Sequence, residues 1–450
     1  MEAIVGGKAA ADRFVETAVR GVSIDSRTIR EGNLFVPLVR VKDGHDFVGE
    51  AVAGGAAAVL WQADRPDPPA NVPVIRVGDC LEALQRLAAD YRNGLPVKAV
   101  GVTGSNGKTT TKDMIDSIFG TTYKVHKTQG NWNSQIGTPL TLLDIAPDTE
   151  YAVVEMGMSE PGQIERLSRM VRPDIAVITM IGVSHLSTLG SREAIAAAKM
   201  EIVRGLEPGG TLVYNGDEPL LEREIRLCGE PARSVTFGFS DGADYRAEAV
   251  RTDASGVSFR LSGTTYRIPL LGKHNVTNAL AAIAAAEVAG IALERVKEGL
   301  ERANVTGMRM ELLRSADGYA VINDAWNASP VSVLAALDTF GELAGYDRKI
   351  AVLGDMRELG PEELRYHADV GRALNPDAIP YVFTIGELAE RIALEAASRY
   401  PAGRVKHFRD QAEALREIRA KLGPGDAVLV KGSRGLELER LAAELLKERD

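Results

Sequence analysis

Between residues 101 and 110 the chain reads GVTGSNGKTT. Gly101, Gly104 and Gly107 recur every three residues, and Lys108 and Thr109 follow. Residues without side chains let backbone N–H groups turn toward an anion. A lysine here bridges terminal phosphates, and a threonine hydroxyl suits Mg²⁺. The ordinary phosphate-loop spacing, G-x-x-x-x-G-K-[ST], wants glycine at position 102, where valine stands. The expected chemistry is phosphate binding by a loop of variant spacing; the plainer alternative is a glycine-rich turn. Further along, Glu155 and His185 each follow a strand-like apolar run. A carboxylate at a strand end suits Mg²⁺ or its bound water, or a salt bridge. A lone histidine there is more simply a hydrogen-bonded loop residue, since imidazole is not a preferred Mg²⁺ ligand.

Lys199 is placed unusually. Ile195, Lys199, Ile202 and Leu206 are spaced i, i+4, i+7, i+11, so the lysine shares a helix's apolar stripe. It is either a snorkelling side chain or an amine kept in a shielded site for its chemistry. A second constellation lies near the C-terminus. Asp324 ends a strand-like run, and Asn327 precedes Ser329-Pro330, a helix start. Lys431 ends another run at the same expected edge. Arg309, in TGMRMELL, is suited to phosphate contact between domains or to an interdomain salt bridge.

The elements that must position these groups alternate regularly. VKAVGVTG, YAVVEMG, DIAVITMI, GTLVYNGD and SVTFGFS are continuous apolar runs of strand length with helical segments among them. Such runs predict a parallel sheet covered on both faces, with ligands at its carboxyl edge. DYRAEAVRTDASGVSFRLSGTTYRIPL alternates instead and predicts a small antiparallel addition. A helix is expected from Arg192, capped by Ser191 and ended by Pro208-Gly209-Gly210. GYAVIND, KIAVLGDM, YVFTIG and DAVLVKGS predict a third α/β unit. Before residue 98, SIDSRTIREGNLFVPL suggests two strands around a turn at 31–33, and RNGLPVK reads as a linker. The expected architecture is α/β in three domains, 1–97, 98–313 and 314–450, with clefts between them.

The 450 residues exceed one core, and the composition is that of a globular chain. A net charge of −9 argues against nucleic acid as a general partner. Two distant cysteines, Cys80 and Cys228, suggest reduced thiols. No signal peptide and no ~18-residue apolar span is evident, so a soluble, cytosolic protein without membrane insertion is expected.

GVTGSNGKTTTK, EMGMSEPGQI, HLSTLGSREAIAAAKMEI, GKHNVTNALAA, NDAWNASP, VLGDMRELG and VLVKGSRGLELERL occur in order between 101 and about 440. Together they resemble the Mur ligases of peptidoglycan synthesis. TQGNWNSQIGTPLTLL, DAWNASP and GDMRELG bring the resemblance closest to the branch that adds D-alanyl-D-alanine to UDP-N-acetylmuramoyl-tripeptide. The N-terminal SIDSRTIREGNLFVPL and DGHDFV resemble that branch's UDP-binding domain. The resemblance implies a P-loop-type central ATPase domain, a Rossmann-like C-terminal domain, and a monomer. It implies ATP and two Mg²⁺ ions, and an acyl phosphate formed on the tripeptide carboxylate.

Carried over by position, Gly104, Ser105, Asn106, Gly107, Lys108, Thr109 and Thr110 form the ATP-phosphate loop. Thr109, Glu155, His185 and a carbamylated Lys199 hold magnesium, with Lys108, Lys199, Glu155 and His185 as the catalytic set. Asn275 lies near adenine, and Arg309 and Asp324 contact phosphate and ribose. Ser26, Arg27, Asn131, Asn133, Asn327 and Lys431 hold the other substrates. The chain departs from the family pattern at Ser134, Trp326 and Ser329, where Asn, Tyr and Asn are usual. The rival readings are a folylpolyglutamate-synthase-like ligase and a nucleotide-binding regulator without ligase chemistry.

Overall fold

The computed structural model describes residues 1–9, 17–229, 233–253 and 255–448. Its central sheet is organised around the strand Lys98–Thr103, flanked in parallel by Tyr151–Glu155 and Ile175–Ile178. Across the sheet the order is Tyr245–Arg246, Ser234–Gly238, Thr211–Asn215, Ile175–Ile178, Lys98–Thr103, Tyr151–Glu155, Val125–Lys127. From Lys98–Thr103 the chain goes to the edge strand Val125–Lys127, returns inward to Tyr151–Glu155, then crosses to Ile175–Ile178 on the other side. That reversal opens a crevice at the carboxyl ends of the strands.

Alternate strand residues face opposite cores. Val100, Val102, Val153 and Val177 pack with residues of the helices Lys108–Phe119 and His274–Val288. Ala99, Val154, Ala176 and Ile178 pack with residues of Gln163–Val171 and Arg192–Met200. Two buried faces explain the continuous apolar runs. Each buried valine or isoleucine among them stabilises by about 1.5–3 kcal/mol, which makes the strand ends a firm platform. Glu248–Asp253, Gly256–Leu261 and Thr264–Ile268 form the antiparallel addition. Tyr245–Arg246, expected with it, pairs in parallel with Phe237–Gly238 instead.

The C-terminal sheet runs Glu311–Arg314, Ala320–Asp324, Ala427–Lys431, Lys349–Gly354, Tyr381–Ile385, Val405–Phe408, parallel except for its first pair. In register, Asp324 lies beside Lys431. The N-terminal sheet runs Lys8–Ala9, Val74–Val77, Ala58–Gln62, Leu34–Phe35, Val22–Ser23.

Three expectations need correction. Val22–Ser23 and Leu34–Phe35 are parallel neighbours rather than a hairpin, and the 3₁₀ turn Ser26–Thr28 lies in the crossover between them. Arg92 belongs to the helix Cys80–Asn93, not to a linker. It is buried because its guanidinium donates to the carbonyls of Val171 (2.9 Å) and Arg172 (3.3 Å), the end of another helix. The helix begun by Ser191, whose hydroxyl accepts from the Ala194 N–H, ends at Met200 and tightens into a 3₁₀ turn over Glu201–Gly205. The Ser168 hydroxyl takes the Ile202 carbonyl and Gly205 packs on the Ser168 backbone, so the α-geometry stops before Pro208.

Candidate active site

The loop between Thr103 and Lys108 is shaped by two glycines, not three. Gly104 has φ +144° and Gly107 φ +81°, conformations that L side chains rarely adopt. Gly101 lies inside the strand. A Cβ there would come within 2.5 Å of Met156 Cε, so this glycine serves packing between sheet and helix layer, and the expectation that it turns amides toward an anion is corrected. The Thr179 hydroxyl donates to the Asn106 carbonyl at 2.6 Å, and Ser105 N–H donates to Met180 O at 2.9 Å. Lys108 folds back onto its own loop, donating to the carbonyls of Gly104 (2.8 Å) and Ser105 (3.3 Å). Desolvation lowers its pKa from 10.5; Glu155 opposes this and Arg309 adds to it.

A chain of hydrogen bonds runs from this loop to both of its neighbours. Arg309 Nη2 donates to Thr109 Oγ1 at 2.8 Å. The Thr109 hydroxyl donates to Glu155 Oε2 at 2.8 Å, and Asn133 Nδ2 donates to Glu155 Oε1 at 2.6 Å. The side chains come from four segments, up to 200 residues apart. They border a cleft of about 330 Å³ that is also lined by Ser105, Asn106, Gly107, Thr110, Asn131, His185, Asn275, Asp324, Asn327 and Lys431. On its far wall Lys431 Nζ lies 2.6 Å from Asp324 Oδ2 and donates to the Asn327 carbonyl at 3.0 Å. Asp324 Oδ1 also accepts from Met310 N–H at 3.2 Å. The Asn327 side chain accepts from Ala328 N–H, and Asn275 is held by Leu271 O and Asn278.

His185 lines the cleft, but its Nδ1 lies 2.8 Å from Glu358 Oε2 of the C-terminal unit. Desolvation lowers the imidazole pKa, Glu358 opposes, and Lys199 and Lys108 add to the lowering. Lys199 is 2% exposed, and no carboxylate lies within 4 Å of its amine among the described residues. Desolvation first and the charge of Lys108 second pull its pKa well below 10.5, while Glu201 and Glu155 oppose. Ser26 and Arg27 lie outside this cleft. Ser26 donates to Glu50, and Arg27 clamps Asp25, whose carboxyl it holds at about 2.

Three buried polar atoms along the cleft have no partner among the described residues: Ser105 Oγ, His274 Nδ1 and Arg309 Nε. Buried donors of this kind normally find an acceptor, and a phosphate-bearing ligand supplies one. For magnesium the fit is of a different type. No three His, Cys, Asp or Glu side chains converge among the described residues. A hydroxyl beside a carboxylate, as at Thr109 and Glu155, nevertheless matches an ion that keeps water and phosphate oxygens as ligands.

The departures from the family pattern have local reasons. Ser134 Oγ accepts from the N–H groups of Ile136 (3.3 Å) and Gly137 (3.2 Å) and so opens the helix Gly137–Leu143. Ser329 forms a capping box with Ser332 and meets Asn106 of the phosphate loop at 3.2 Å. The Trp326 ring faces the guanidinium groups of Arg309 (5.8 Å) and Arg434 (4.9 Å), contacts that need an aromatic face and no hydroxyl. Asn106–Ser329 and His185–Glu358 join residues far apart in sequence and carry no local signal. Lys112 did carry one: Lys112, Ile115 and Phe119 share a buried stripe, the pattern that singled out Lys199.

Three family profiles match the chain: the Mur ligase family catalytic domain over 18–92, the Mur ligase middle domain over 102–286, and the Mur ligase glutamate ligase domain over 308–434. The UDP-N-acetylmuramoyl-tripeptide–D-alanyl-D-alanine ligase of Bacillus subtilis is 46% identical over 99% of this chain and 97% of its own. MurF from Acinetobacter baumannii superposes with a TM-score of 0.89 at 31% identity, covering 99% and 97% of the two chains. The MurF ligase of Thermotoga maritima, solved in complex with ADP, superposes at 0.83 with 27% identity, covering 95% and 97%.

Proposed function

This chain belongs to the Mur ligase family, and from that premise we propose that it joins D-alanyl-D-alanine to UDP-N-acetylmuramoyl-tripeptide with ATP as the energy source. The observation that carries this reading is the hydrogen-bond chain Arg309–Thr109–Glu155–Asn133. It links the phosphate loop to the stretch that leads into the C-terminal unit on one side and to the 128–133 loop on the other. A nucleotide-binding regulator has no need of that third connection.

The tripeptide's terminal carboxylate attacks the γ-phosphorus of ATP; the new O–P bond forms as the bond to ADP breaks. The neutral amine of D-alanyl-D-alanine then attacks the acyl carbon, inorganic phosphate leaves with the C–O electron pair, and the proton the nitrogen loses passes to phosphate or water. The first step brings two anions together, so positive charge must already be in place. Lys108 and the N–H groups at the start of the helix Lys108–Phe119 face the phosphates. Arg309 adds its charge from across the cleft, Asp324 holds the nucleotide's ribose, and Lys431 beside it serves the other substrates. Thr109, Glu155, His185 and Lys199 would hold two Mg²⁺ ions, which supply further positive charge when bound. For Lys199 this requires the carbamate, formed when a neutral amine takes up CO₂ and releases a proton. Burial, which pulls the Lys199 pKa well below 10.5, favours that reaction. His185 keeps Nε2 for that role while its Nδ1 is engaged by Glu358.

Asn131, Asn133 and Asn327 serve the peptide and muramoyl groups, and Ser26 and Arg27 the uridine diphosphate. The units are 1–97 for UDP binding, 98–313 for ATP and 314–450 for ligation. We place the protein in the cytosol, where ATP and the UDP-linked precursor are available; among the described residues no helix is long and apolar enough to cross a membrane. Closure of the units shields the acyl phosphate from water.

The test is incubation with UDP-muramoyl-tripeptide, D-alanyl-D-alanine, ATP and Mg²⁺, with mass spectrometry of the product. One amide product per ADP and phosphate released is expected. Phosphate release with folate and glutamate, and none with the UDP-linked tripeptide, would sink the reading.

A further inference from the structure

The helix Lys108–Phe119 carries two adjacent charges that the reaction scheme above leaves unused. Lys112 is fully buried and Asp113 is 1% exposed. Lys112 Nζ donates to the carbonyls of Thr128 (2.9 Å) and Gly130 (3.1 Å) and lies 3.2 Å from Asp113 Oδ1. Asp113 accepts from the N–H and the hydroxyl of Thr306, both at 2.8 Å, and meets Lys127 at 3.1 Å. Removing an ammonium from water costs several kcal/mol unless it is paired and fully hydrogen-bonded. An apolar residue would fill the same volume without that cost. The lysine therefore has to be explained by what it holds.

It holds a loop that has little else at that point. Thr128 is tied to the sheet by its N–H to Val153 O and by its hydroxyl, which accepts from Glu155 N–H. From Gly130, at φ +52°, the chain leaves the protein surface; Gly130 and Asn131 are exposed, and Trp132 is 52% exposed. It returns at Asn133, on Glu155. Lys112 thus fixes the departure of the loop and Glu155 its return. Asn131, between them, has its position set by both.

We infer that Lys112 is a positioning residue for the UDP-linked substrate, holding the 128–133 loop so that Asn131 and Asn133 meet it in one geometry. This rests on the reading of that loop as the muramoyl-substrate loop. Lys112 is one helical turn beyond Lys108, so the same helix presents the nucleotide groups and the support of the acceptor loop. Asp113 balances the charge and clasps Thr306, three residues before Arg309.

The test is Lys112→Met, read in two ways. Steady-state kinetics should show KM for the UDP-linked substrate raised by roughly tenfold or more, with KM for ATP within about twofold. Amide exchange without any substrate should be faster at 129–133 by a similar factor and unchanged at 104–110. An unchanged KM in an active enzyme overturns the proposal, as does unchanged exchange, or an equal rise in both KM values. Should K112M not fold, Lys112→Gln is read in the same way. Failure of both to fold also overturns it, because Lys112 would then be a strut of the core. Inactivity of the wild-type enzyme toward the UDP-linked substrate would instead refute the function proposed above, and the exchange result would still decide whether Lys112 holds the loop.

Discussion

Lys199 shows best what a single residue discloses. Its place in an apolar stripe was visible from spacing alone, and the structure puts it at 2% exposure with no carboxylate within 4 Å among the described residues. The absence of a counter-charge was not legible, because it depends on which elements pack around the helix. Lys199→Met should lower the ligation rate by about a hundredfold or more while ATP still binds by calorimetry. Near-normal turnover would remove Lys199 from the mechanism. The same variant tests its protonation. Burial holds the folded amine well below 10.5, so between the two values the unfolded chain binds a proton that the folded chain does not. Stability from this group therefore grows as pH rises toward 10.5 and is lost as pH falls through the depressed folded value. In carbon-dioxide-free buffer, urea unfolding should show the wild type gaining on K199M as pH is raised. A pH-independent difference would contradict it. His185 and Glu155 illustrate the opposite limit. Their strand-end positions were readable, but the partners they hold here, Glu358 for one and Thr109 with Asn133 for the other, were not.

Among the elements, the strands buried on both faces were the most legible, since every residue from Ala99 to Thr103 is apolar or fully covered. Glu311–Arg314 and Val405–Phe408 escaped notice. Both are four-residue edge strands, with charged or polar residues where a periodic signal would be read. The spacing reads as a phosphate loop, but its three glycines are not equivalent. Gly101→Ala should cost about 1–3 kcal/mol of stability, because its Cβ meets Met156 Cε in a packed layer, and leave KM for ATP nearly unchanged. Gly104→Ala should instead impair ATP binding by about tenfold or more, since the new Cβ drives into the Thr179 hydroxyl that secures the loop. Thermal melts and ATP titrations of the two variants separate these effects. Equal loss of ATP affinity in both would mean that Gly101 belongs to the loop after all.

At the scale of the whole molecule, the C-terminal unit rests on the central one through Asn106–Ser329 and His185–Glu358, and Arg309–Thr109 ties down the stretch that leads into it. None of these was legible, because contacts separated by up to 223 residues leave no local pattern. The His185–Glu358 pair is partly exposed, with Glu358 at 62%, so it contributes only about 0–1 kcal/mol. Glu358→Ala should accordingly loosen the contact between the two units modestly. A larger radius of gyration by solution scattering and a fall of about twofold to fivefold in kcat/KM for ATP are expected. Unchanged scattering with unchanged kinetics would show that the pair has no part in closure. The long separation of Thr109 from Arg309 has a different consequence during synthesis. At roughly 5–20 residues per second, a ribosome needs about 10–40 s to pass from the phosphate loop to the arginine that completes it. A nascent chain therefore carries its nucleotide loop for that time before the arginine that donates to it has been made.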